Sequence, residues 1–89
     1  MPFSAQDALK QARTSIEAAQ EAGISKSKVK KHYRAAKQTL GEVIDKETDA
    51  GVLKEVIVAF QDLALVLDHC GARWQKQAAK CRERADALM

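Results

Sequence analysis

Apolar residues recur every three or four positions along most of the chain, and the recurrence breaks at three places. Ala8, Leu9, Ala12, Ile16 and Ala19 share one side of a 3.6-residue period and predict a helix over about 5–22. Val29, Tyr33, Ala36, Leu40, Val43 and Ile44 predict a second over 26–46. A third is expected over 50–70. A fourth, over 73–88, carries Trp74, Ala78, Cys81, Ala85 and Leu88 on one face. The breaks hold the residues that begin and end helices. Ser4 can cap the first helix, with Asp7 answering it and Phe3 stapled to the first turn. Gly23, followed by Ile24, is a C-terminal stop. Ser25 or Ser27 can cap the second helix, and Thr48 or Asp49 the third. Gly71 stops the third helix. Connections this short make consecutive helices antiparallel neighbours. Gly41 interrupts the second stripe at a cost of about 1 kcal/mol relative to Ala. It marks either a kink or the close approach of another helix.

The third helix differs from the others. At about 100° per residue, Lys54, Glu55, Gln61, Asp62, Asp68 and His69 fall in one narrow arc. Phe60 and its neighbours form the main core face. Val52, Ala59 and Val66 form a second apolar face. Val58 and Leu65 lie inside the polar arc, seven residues apart and so on the same side. A central position in the fold explains the second face, but it explains Val58 and Leu65 less well.

Composition narrows the class. Hydrophobic residues are 46% of the chain and charged residues 30%, a globular balance rather than a disordered one. Eighty-nine residues suffice for one domain, 1–89, with a thin core. Phe3, Tyr33, Phe60 and Trp74 are the only aromatics, so Leu, Val, Ile and Ala must build that core. Cys70 and Cys81 make no disulfide framework. Residues 1–4 lead into a polar helix without an apolar leader, and the apolar runs 56–60 and 63–67 are too short to span a bilayer. Cytoplasm is the expected compartment.

The net charge of +3 is unevenly placed. Six basic residues and no acidic one lie between Glu21 and Glu42, which leaves nine basic and twelve acidic residues elsewhere. Lys30, Arg34 and Lys37 form a ridge beside the second stripe and are the candidate anion-binding residues. Nucleic acid, an anionic surface or an acidic partner could each be drawn to it. No aromatics are interleaved for base stacking and no recognised nucleic-acid motif accompanies it, so a solvated helix face is the preferred reading.

The last two predicted helices resemble a tetratricopeptide repeat, a helix-turn-helix unit of about 34 residues. Phe60, Leu63, Ala64 and Leu67 follow that family's large, large, small, large spacing, with Gly71 at the turn and Ala78 and Ala85 as the small residues of the second helix. The turn from Gly71 to Ala78 is two residues longer than the family's. Arg82 replaces the usual aromatic, and the final proline is missing. The match covers 60–88 and is echoed at 12–36, where Val29, Tyr33 and Ala36 repeat the spacing of Ala78, Arg82 and Ala85. The resemblance implies two stacked helical hairpins in a family that mostly binds peptides or proteins. An unrelated antiparallel four-helix bundle satisfies the same periodicity.

No pattern points to catalysis. Adjacent His69 and Cys70 diverge by about 100° on a helix, and there is no C-x-x-C pair, H-E-x-x-H helix, phosphate loop or nucleophile elbow. No cofactor, metal or catalytic residue is expected. The expected fold is all-α. The expected function is a non-catalytic protein–protein interaction or scaffold module, with a protein, a peptide or a second copy as partner. Val58, Leu65, Val66 and Trp74 are the expected contact residues. The alternative is a small nucleic-acid- or anionic-surface-binding protein using 26–37.

Overall fold

The computed structural model describes residues 3–21 and 25–89. It contains four α-helices: α1 (Ala5–Glu21), α2 (Lys26–Lys46), α3 (Ala50–His69) and α4 (Gln75–Leu88). No strand occurs among the described residues. Each boundary has a local cause. Ser4 Oγ accepts the Asp7 N–H at 3.3 Å and opens α1. The stop expected at Gly23 and Ile24 lies outside the described residues. Of the two candidate caps for α3, Asp49 takes the role, its carboxylate accepting the Val52 N–H at 3.0 Å. Glu47 Oε1 ties the preceding loop by accepting the N–H groups of Thr48 and Asp49, both at 3.1 Å. Gly71 follows α3 at φ +116°, a conformation that side chains disfavour. The longer turn seen in the sequence is filled by a 3-10 turn, Ala72–Trp74, so α4 itself begins two residues later than the spacing predicts.

The helices form two hairpins, α1 with α2 and α3 with α4, in a slab whose Cα extents are 35 × 28 × 14 Å. Helix α3 is the hub, packing on α1, α2 and α4. Neither α1 nor α2 approaches α4: no Cα pair between them lies within 8 Å. The core is drawn from the predicted stripes. Phe60, Leu40, Leu63, Leu67, Val29, Val43 and Val56 are its largest fully buried side chains. Ala12, Ala19, Ala36, Ala64 and Ala78 are wholly covered, which lets backbones come close where a larger residue would separate them. No polar or charged side chain is buried among the described residues.

Gly41 neither kinks α2 nor admits a neighbour. The helix runs through it, and a Cβ there would meet nothing within 4 Å. Arg82 is exposed, where the repeat family has an aromatic. It reaches back across the hairpin to form an ion pair with Asp68, the only such pair among the described residues. Phe3 lies under Lys46 at the end of α2, with the ammonium 4.8 Å from the ring centroid.

Candidate functional site, a basic groove between α2 and α4

The expected contact residues divide into two groups. Val58 and Leu65 are 44% and 53% exposed on the outer strip of α3. The second apolar face of that helix is largely covered from within: Ala59 is buried, and Val52 and Val66 are half-buried against the core. Trp74 lies away from that strip. It is buried and packs on Tyr33, with ring centroids 6.1 Å apart and planes tilted by 58°. The sequence offers Trp74 as a contact residue, and the structure buries it in the floor of a groove.

That floor belongs to a groove of about 600 Å³. Successive antiparallel packing makes α2 and α4 run in the same direction on either side of α3, with no Cα pair between them within 8 Å. Helix α2 contributes Lys26, Ser27, Lys30, Tyr33, Arg34 and Lys37 to the groove. The other wall is Arg73, Trp74, Gln77 and Lys80. The expected anion ridge of Lys30, Arg34 and Lys37 is therefore one side of a two-sided site. Six cations line it, all exposed, and no carboxylate does. Lys37 lies over Tyr33, its ammonium 5.8 Å from the ring centroid.

Backbone electrostatics reinforce the side chains. A helix N-terminus carries partial positive charge and favours an acidic residue or a side-chain cap. Both α1 and α3 have such a cap. The two helices that border the groove do not. Ser25 precedes α2 and Trp74 precedes α4, and neither makes a side-chain cap bond. No acidic residue stands in the first turn of either helix, and α2 has Lys26 and Lys28 there instead. This arrangement is unfavourable for helix stability, and it concentrates positive potential at the Lys26–Arg73 end. Departures of this kind from local stability rules are characteristic of functional surfaces.

The groove continues along both helices into a smaller hollow of about 380 Å³. Tyr33, Lys37 and Lys80 are shared between the two, and Phe60, Cys81 and Ala87 make the hollow more apolar. Burial pushes the Cys81 thiol up to about 11, outweighing the opposing pull of Lys37, Arg82 and Arg84. Burial likewise raises Cys70 and the Tyr33 hydroxyl. All three groups are therefore protonated at neutral pH, and neither sulfur is a poised nucleophile or an anionic ligand. His69 donates its Nδ1–H to the Leu65 carbonyl oxygen at 2.7 Å. Among the described residues no three His, Cys, Asp or Glu side chains are grouped to hold a metal ion.

Among the residues that line the groove, Gln77 has its Oε1 buried without a hydrogen-bond partner, a state that costs free energy.

Sequence reasoning found Lys30, Arg34 and Lys37 but missed Arg73, Gln77 and Lys80, and it placed Tyr33 beside the basic ridge without bringing Trp74 to it. Tyr33 and Trp74 meet only because α3 brings its hairpin partner back alongside. The available signal was the spacing of Arg73, Gln77, Lys80 and Arg84, which shares one side of the last helix. No family model, curated protein or solved structure matches the chain.

Proposed function

We propose that this chain is a non-catalytic interaction module that receives a segment of a partner protein in the α2/α4 groove. The carrying observation is the groove itself: two helix walls held apart by α3, lined by six cations and no carboxylate. A purely solvated face has no need of cations from two separate helices facing one another, nor of uncapped helix starts at the same end. The reading does not depend on the tetratricopeptide resemblance. Cys70 and Cys81, both free thiols, suit a reducing cytoplasm. No described helix is long and apolar enough to cross a membrane.

An unbiased peptide display library tests this reading. Peptides should be enriched on the native chain and lost on the variant Lys30→Glu, Arg34→Glu, Lys37→Glu. Absence of enrichment, or equal enrichment on both chains, overturns it.

Self-association through α3 is a second reading, favoured by one observation. Val58 and Leu65 are exposed apolar residues stacked two turns apart, with half-buried Val66 beside them.

A further inference from the structure

The groove's chemistry limits what can occupy it. The basic wall from Lys26 to Lys37 is roughly 16 Å long at the helical rise of 1.5 Å per residue. An extended strand of about five residues matches that length at about 3.3 Å each. The cations can meet carboxylates from both sides, and the only ion pair among the described residues is elsewhere, between Arg82 and Asp68. At the far end the walls carry Lys37, Lys80 and Arg84 together with one carboxylate, Glu83, and the floor becomes Phe60 and Cys81.

Resting on the interaction-module reading, we infer that the α2/α4 groove binds a short, extended acidic peptide segment. Its carboxylates face Lys26, Lys30, Arg34, Lys37, Arg73 and Lys80, and an adjoining aliphatic side chain enters the hollow over Phe60 and Cys81.

Two observations favour a peptide over a nucleic acid. Sequence-tolerant binding of single strands relies on open aromatic faces, whereas Tyr33 and Trp74 are buried against each other and Lys37 covers Tyr33. Duplex binding needs cations spread over a surface that a wide double helix can reach, and here they face one another across a cleft between two neighbouring helices.

Fluorescence polarisation with the full 89-residue chain tests the inference. The probe is a labelled decapeptide with five glutamates followed by leucine. Controls replace Glu by Gln, replace Leu by Gly, or substitute a labelled oligothymidylate of equal charge. The acidic peptide should bind at least tenfold tighter than its Gln analogue at low salt and weaken as salt screens the groove. The Leu→Gly peptide should lose about threefold or more, roughly the worth of one small apolar contact. Lys30→Glu with Lys37→Glu should weaken binding at least tenfold. Lys10→Glu with Lys54→Glu changes the net charge equally, on α1 and α3 and away from the groove, and should stay within twofold. Circular dichroism confirms that both variants are helical.

Equal loss in the two variants would reduce the effect to net charge and overturn the inference. Tighter binding of the oligothymidylate would assign the groove to nucleic acid. Salt-sensitive self-association of the chain alone, uncompeted by peptide, would assign it to a second copy. Each of these results also overturns the inference. Library peptides that are not acidic, yet are lost on the groove variant, would overturn the inference and leave the interaction module standing.

Discussion

Helices α2 and α3 are nearly the same length, 21 and 20 residues, yet the fold uses them in opposite ways. Helix α3 is packed by three others and buries most of its circumference, leaving a strip for Lys54, Gln61, Asp62 and Asp68. Helix α2 packs on α1 and α3, with Tyr33 also reaching Trp74. Its single stripe of Val29, Tyr33, Ala36, Leu40 and Val43 is buried, and the rest of its surface is free to carry charge. The end caps follow the same division. Asp49 fixes the start of α3 with a side-chain bond, whereas α2 begins with lysines and no such bond. The hub helix has features that favour stability, and the border helix carries one basic wall of the groove.

The strongest way to break this comparison is to remove the centre of the hub. Phe60→Ala is expected to cost about 3–5 kcal/mol, much of what so small a domain has. A thermal melt followed by circular dichroism should show a fall of tens of degrees or no transition. A shift of only a few degrees would mean that α3 is not the hub. The caps come next. Asp49→Ala should lower stability by about 1 kcal/mol, whereas Ser25→Ala should change it by no more than a few tenths, because Ser25 makes no cap bond. Urea unfolding of both variants reads the difference, and equal losses would erase the contrast between the two helix starts. Val58→Glu with Leu65→Glu has the smallest expected effect on folding, within about 0.5 kcal/mol, since both residues are exposed. Sedimentation of that variant then addresses self-association. A fall in mass relative to the native chain supports contact through α3, and an unchanged mass removes that reading.

Much of this contrast could be read before the fold was known. The near all-round apolar character of the third helix follows from Val52, Ala59 and Val66 adding to the Phe60 face, and burial follows from it. The stripes of α1, α2 and α4 were equally legible, because periodicity reports each helix's own buried side. Periodicity does not report which helices lie next to one another. Arg73 and Lys80 read as scattered charges until α4 is set beside α2, and only then do they complete the ridge of Lys30, Arg34 and Lys37. The same limit applies to Arg82. Judged against a repeat pattern it is a misfit. In the fold its guanidinium reaches Asp68, fourteen residues earlier. Gly41 shows the limit in reverse: a glycine in an apolar stripe suggests a close neighbour, but its surroundings are open.

The packing order also bears on how the chain folds. Helices that follow one another in the chain account for nearly every pairing, and α1 with α3 is the only partnership that skips an element. Chains dominated by such local pairings fold within about microseconds to milliseconds, because little loop entropy is lost before contacts form. Each hairpin can therefore gather on its own, and docking of α3 onto α1 is the one long-range event left to complete the domain. Docking also creates the α2/α4 groove, because α2 and α4 acquire their facing positions only through α3. The proposed recognition should thus emerge last in folding, and a ligand for the groove would report on the fully docked chain.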